Sequence, residues 1–146
     1  MKRSILLFGL FLSGCGSAFY VSEVIDIGNK KTTDLVVDKS EVGDGITVFS
    51  IPVTVKQPQD ARLTIQFVIK SAGHCRTSYE PTVFYLNERI IKTFDFRRYF
   101  LQKEISETVK IDKTFFKKGQ NIFKIETGAC QYDIDVLELN SLKLNF

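Results

Sequence analysis

Cys75 follows His74 directly, and a thiol beside an imidazole is the pairing from which a cysteine nucleophile is built. On an extended chain, however, neighbouring side chains point to opposite sides, so His74 would not reach the Cys75 sulfur. His74 is the sole histidine among 146 residues. That excludes a histidine-rich metal site, and no Cys-x-x-Cys spacing offers a thiolate one. Asp133 and Asp135 stand two apart, on one face if the segment is a strand. Such a pair can exchange protons or hold calcium. Two acids at the start of a strand are nonetheless expected to be exposed, solvated charges. Glycoside hydrolysis needs two carboxyls in a cleft, one with a raised pKa, and nothing in the spacing points to one. No catalysis, cofactor or metal is expected.

The most unusual stretch is Phe94-Asp95-Phe96-Arg97-Arg98-Tyr99-Phe100, where four aromatic residues interleave with two arginines. A patch of this kind can stack on sugars, pair with anionic headgroups or dock a protein. Phe94 and Phe96 are expected to plug a core from a long crossover. Arg97, Arg98 and Tyr99 are the candidates for meeting a ligand or partner. A second candidate edge consists of His74, Arg76 and Tyr79 together with Tyr132, which lies two residues after Cys130. These would cluster if Cys75 and Cys130 were joined.

The chain that must position these residues begins with an address. Lys2 and Arg3 precede an apolar run, Ile5 to Leu12, broken only by Gly9. A spanning helix needs about 20 apolar residues, so the run reads as a secretory signal. It ends in Leu12-Ser13-Gly14-Cys15, which resembles the lipobox of bacterial lipoproteins. The resemblance implies cleavage before Cys15 and a diacylglycerol on its thiol. Gly16 at the next position implies the outer membrane, in the sorting rule of enterobacterial lipoproteins. Removing Lys2 and Arg3 lowers the bases from 20 to 18 against 17 acids, so the formal charge of +3 becomes +1. Of three cysteines, Cys75 and Cys130 then remain. Outside the cytoplasmic membrane they are expected to form a disulfide, each lying just past a strand end. Two free thiols are the alternative.

Composition suits a single globular domain, with 25% charged and 44% hydrophobic residues. Residues 28–45 are polar, preceded by the apolar stretch Val24-Ile25 with Ile27 and interrupted by Leu35-Val36-Val37, each a possible edge strand. From Ile46 the pattern has period two. Val48 to Val55 is β-branched, with Pro52 suggesting an edge or a bulge. Arg62 to Lys70 alternates, with Leu63, Ile65, Phe67 and Ile69 on one face. Val83 to Leu86 and Arg89 to Lys92 flank the turn Asn87-Glu88, where Glu88 stands in place of the glycine that eases a type I′ turn. Val109 with Ile111, Asn121 to Glu126, and Val136 to Leu144 follow, the last with a bulge or bend near Asn140-Ser141. No stretch has a 3.6 period, so helices are expected to be few and the fold an all-β antiparallel sandwich or barrel.

Val83 to Ile91, with Leu86-Asn87 at its turn, resembles the hairpin of galactose-binding-like jelly rolls. Phe115 to Ile125, with Gly119-Gln120-Asn121, and Asp133 to Leu144 are similar to two further segments of that family, which includes many carbohydrate-binding modules. The resemblance covers residues 46–146 and implies two packed antiparallel sheets, with ligands at the loops of one end or on a concave face. The resulting expectation is a signal over 1–14, a lipidated tether with possible edge strands over 15–45, and a sandwich over 46–146. The function expected is a non-catalytic, membrane-anchored lipoprotein that binds an envelope or extracellular carbohydrate. The alternative is a protein-interaction or structural subunit of an envelope assembly. The absence of Trp counts against sugar stacking, and the compartment and near-balanced charge argue against nucleic acid.

Overall fold

The computed structural model describes residues 19–21, 25–28, 32–36, 40–42, 48–73, 79–130 and 133–146. The strands are β1 (Phe19–Val21), β2 (Ile25–Gly28), β3 (Thr32–Val36), β4 (Ser40–Val42), β5 (Val48–Val55), β6 (Ala61–Ser71) and β7 (Thr82–Leu86). They continue with β8 (Arg89–Phe94), β9 (Glu104–Ile111), β10 (Gly119–Glu126), β11 (Ala129–Cys130), β12 (Asp133–Ile134) and β13 (Val136–Asn145). Helix among the described residues is confined to 3-10 turns at Phe96–Arg98 and Lys113–Phe115.

Two sheets face each other. The first runs β1-β5-β10-β7-β8, with β2 also beside β5. The second runs β3-β13-β6-β9, with β4 also beside β13. Apart from β1 and β2, which run parallel to β5, the pairings are antiparallel. The fold is an antiparallel β-sandwich.

The alternation along β6 dictates what lies inside: Leu63, Ile65, Phe67 and Ile69 have no exposed surface, while Arg62 faces solvent. In β13 the leucines are not evenly spaced. Leu137 and Leu139 have period two, but Leu142 comes three residues later. The register against β6 shifts between Leu139 and Ser141. One extra residue restores the phase, so Leu142 and Leu144 also point inward, each fully buried.

Pro52 is neither at a free edge nor in a bulge. It pairs with Ile122 of β10 in an unbroken register. On the other side of β5, β1 meets Val48 to Ser50 and β2 meets Val53 to Val55, so Pro52 falls in the gap between them. A residue without an N–H is tolerated where the neighbouring ladder is interrupted. At the β7–β8 turn, Asn87 and Glu88 both adopt positive φ, 50° and 65°, the pattern of a type I′ turn.

That turn is fastened by two asparagines. Asn87 exchanges hydrogen bonds with Ile122, its N–H donating to the carbonyl (2.9 Å) and its Oδ1 accepting from the N–H (3.1 Å). Its Nδ2 donates to Oδ1 of Asn121 at 2.7 Å. Asn121 is fully buried. Its Nδ2 donates to the carbonyls of Lys117 and Gly119, and its Oδ1 accepts from Lys117 N. The two asparagines of the jelly-roll-like motifs thus hold one end of the sandwich together. Asn121→Ala leaves several buried groups without partners and is expected to cost about 2–4 kcal/mol. Urea unfolding measures this, and an unchanged midpoint would contradict the role.

Candidate functional site

The candidate site lies at the other end. The pairing of Thr82 with Phe94 and of Ser71 with Val136 sends the segments after β6, β8 and β10 out at that same end. A core of rings closes it from within. Phe94 sits 5.4 Å from Phe67 across the sandwich and 5.3 Å from Phe84, with Phe96 5.5 Å from Phe67. Phe94 and Phe96 are 1% and 0% exposed, so they do plug the core. Burial of rings this large supplies much of the local stability.

Asp135 organises the chain above these rings. The sequence suggests an exposed acid there, but its side chain is fully buried. Its Oδ1 accepts from the N–H of Gly73 at 3.0 Å, and its Oδ2 accepts from the hydroxyls of Tyr79 at 2.6 Å and Thr82 at 2.9 Å. Thr82 Oγ1 in turn accepts from Gly128 N at 2.7 Å. Asp135 lies between β12 and β13, so it does not share a strand with Asp133, whose side chain is outside the described residues. A buried carboxylate without donors is costly, and these donors converge on it from elsewhere in the chain.

Two glycines make room for the network. A Cβ on Gly128 would collide with Asp135 Oδ2 and the carbonyl of Glu80. A Cβ on Gly73 would stand 3.0 Å from the Tyr79 ring, so the ring packs directly on the backbone there.

Tyr79 connects this network to the surface. Its hydroxyl accepts from Phe96 N at 3.3 Å, and the Arg97 guanidinium lies over its ring, 3.8 Å from the centroid. Asp95 fixes Arg97 from the side, accepting from its Nε and its second terminal nitrogen, each at 2.9 Å, and from its backbone N–H at 3.2 Å. Those bonds hold the Asp95 carboxyl below its ordinary range and raise the guanidinium further. Arg97 is therefore set in one orientation by a ring beneath and a carboxylate beside it.

Beside Arg97 opens a cleft of about 320 Å³, lined by Ala72, Gly73, Phe96, Arg97, Tyr99 and Leu101. The Tyr99 ring packs on the core, 6.2 Å from Phe96. Burial, the Glu107 charge and the hydrogen bond to Glu107 raise its phenol. The lining joins apolar faces to a guanidinium, a combination whose shape and chemistry suit a molecule with a flat apolar side and a polar rim.

The sequence suggests two separate candidate edges. Tyr79 of one and Arg97 of the other are in direct contact, because the β7–β8 pairing brings the residues flanking both strands together. Arg98 is exposed, its Nε 3.3 Å from Asp95, and does not line the cleft. His74, Cys75, Arg76, Tyr132 and Cys15 lie outside the described residues. The Sγ of Cys130 lies 3.7 Å from where a Gly73 Cβ would be. Among the described residues, no cluster of His, Cys, Asp and Glu is suited to a metal, and no helix is long and apolar enough to cross a membrane. Sequence reasoning missed Gly73, Thr82, Asp95, Leu101, Gly128 and the burial of Asp135. Asp95 had a local signal, an acid at the N-cap of a turn two residues before the arginine it holds.

No known family matches the sequence, and no curated protein does. Among solved structures, the chain is similar to a family 35 carbohydrate binding module from an environmental isolate, with 17% identity and a TM-score of 0.45 over 75% of this chain and 68% of that one. It is similar to a family 35 module from Clostridium thermocellum at 13% identity and a TM-score of 0.41, covering 78% and 87%. A third is the Arthrobacter globiformis T6 isomalto-dextranase complexed with panose, at 11% identity and a TM-score of 0.39, covering 70% of this chain and 17% of the enzyme. The likeness is one of fold alone.

Burial first, then the bond to Asp135, raises the Tyr79 phenol well above its ordinary 10.0. The folded protein therefore holds this proton more tightly than the unfolded chain does. The stabilisation is whole below pH 10 and is lost as pH rises from there. Tyr79→Phe is expected to lower stability at neutral pH and to flatten its decline above pH 10. Urea midpoints from pH 8 to 11.5 test this. Parallel curves for the two proteins would contradict it.

Proposed function

We propose that the chain is a non-catalytic, lipid-anchored domain whose cleft binds a carbohydrate. The observation that carries the binding reading is the Arg97 guanidinium, held at 3.8 Å over Tyr79 at the mouth of an apolar cleft. A pyranose has an apolar C–H face and a rim of hydroxyls. The faces of Tyr99 and Leu101 suit the first, and the fixed nitrogens of Arg97 suit the second. Preorganisation by Asp95 and Asp135 reduces the ordering cost of binding a small ligand.

A glycan array probed with the full-length protein, followed by titration of the strongest binder, tests this. Arg97→Ala is expected to weaken that binding about tenfold, equivalent to about 1.4 kcal/mol. Arg97→Lys should not restore it, because a lysine lacks the flat face that rests on Tyr79. Absence of binding to any sugar at millimolar concentration would refute the carbohydrate reading.

The lipid anchor rests on Leu12-Ser13-Gly14-Cys15. On this reading Cys15 carries the lipid, and the cell envelope, with the outer membrane favoured, is the location. Cys75 is the proposed partner of Cys130. The proximity of Cys130 Sγ to Gly73, two residues before Cys75, supports that pairing. The chain-entropy model gives such a link, closing 55 residues, about 4 kcal/mol as an upper figure. Intact mass of membrane-extracted protein tests both assignments. The expected species begins at Cys15, carries acyl mass there and gains two hydrogens on reduction. A mass without acyl groups, or one unmoved by reduction, would refute the corresponding assignment.

A further inference from the structure

The segment after the Phe96–Arg98 turn exposes large apolar side chains. Phe100 is 75% exposed and Leu101 44%. This exposure is held in place. Gln102 adopts φ 59°, its N–H donates to the Ile69 carbonyl at 2.9 Å, and its side-chain amide donates to the Lys70 carbonyl at 3.2 Å. The Lys103 ammonium stands 4.8 Å from the centre of the Phe100 ring, and the Arg98 side chain is 82% exposed. Arg97, Arg98 and Lys103 outnumber Asp95 and Glu104 over this stretch. An apolar wedge rimmed by cations suits the boundary between acyl chains and headgroups.

The course of the chain points to the same surface. β1 begins at Phe19, which lies opposite Val48. Val48 is paired with Glu126, Glu126 with Val83, and the neighbouring Thr82 with Phe94. Phe19 is therefore at the end that carries the wedge, and the Asn87–Glu88 turn is at the other. Cys15 is four residues upstream, at most about 14 Å away on a fully extended chain. A lipid on Cys15 holds this end, not the opposite one, to the bilayer.

We infer that Phe100 rests in the interface of the membrane that carries the anchor, with Leu101 at its margin, fixing the orientation of the sandwich on it. The inference rests on the lipid-anchor reading. Leu101 also lines the cleft, so a saccharide bound there would lie beside the headgroup layer.

The chain contains no Trp, so Phe100→Trp introduces a single reporter. Ile90→Trp, at a side chain 59% exposed beside the opposite turn, is the control. Each full-length lipidated variant is reconstituted into phosphatidylethanolamine–phosphatidylglycerol vesicles with brominated acyl chains. Phe100→Trp is expected to emit at shorter wavelength than Ile90→Trp, to lose at least half its intensity to the brominated chains and to be shielded from acrylamide. Ile90→Trp should show none of these. If the protein sediments with the vesicles but both reporters behave alike, the orientation is wrong and the anchor reading stands. Shielding of the Phe100→Trp reporter from acrylamide without quenching by bromine would mean that protein covers the wedge, which also overturns the inference. If the protein does not sediment with vesicles, the anchor reading fails and the inference falls with it.

Discussion

A carboxylate removed from water must find donors, and the donors that Asp135 finds set the shape of one end of this sandwich. Its oxygens draw in the backbone after β6, the tyrosine before β7 and the first threonine of β7. Thr82 passes the constraint on to Gly128 after β10. Gly128 also accepts from the N–H of Asp135 itself at 2.8 Å. Each tie alone is modest, but leaving any one of these buried groups unpaired carries a desolvation cost. Tyr79 then carries the order outward, since its ring is the platform on which Arg97 lies. The proposed carbohydrate site is thus the outer layer of a buried polar network.

The opposite end is built on the same logic with neutral groups. Buried Asn121 satisfies the backbone of Lys117 and Gly119 and meets Asn87 from the β7–β8 turn. Two polar hubs thus bracket an interior of leucine, isoleucine and phenylalanine. The ends differ in what lies above the hub. Asn121 supports a turn, whereas Asp135 supports a cleft and, beyond it, the exposed Phe100.

Most of the sandwich was legible because strand pairing and burial write a local pattern. β6 announces its inward face by strict alternation, and the change of phase between Leu139 and Leu142 announces a bulge. Phe94 and Phe96 were readable as core by their bulk, as rings filling from a crossover, although Phe94 closes β8 and only Phe96 lies in the turn beyond it. Asp135 was not, because no local pattern distinguishes a solvated acid at the start of a strand from a buried one. Its donors stand 53 to 62 residues away in sequence, and only the completed fold assembles them. The contact between Tyr79 and Arg97 was hidden likewise, since it depends on the pairing of β7 with β8 and on the Asp135 bond that orients the ring. Pro52 misled in the other direction. A proline inside a strand suggested an edge or a bulge, whereas it occupies a break between two short neighbours.

Amide hydrogen exchange on the native protein and on Asp135→Asn tests the organising role of the carboxylate most directly. The Gly73 amide donates to Asp135, that of Phe96 to the Tyr79 hydroxyl and that of Gly128 to Thr82. These three amides are expected to exchange at least tenfold faster in the variant. The amides of Lys117 and Ile122, held by Asn121 and Asn87, should keep their rates. Unchanged protection at Gly73, Phe96 and Gly128, or an equal loss at both ends, would contradict the account.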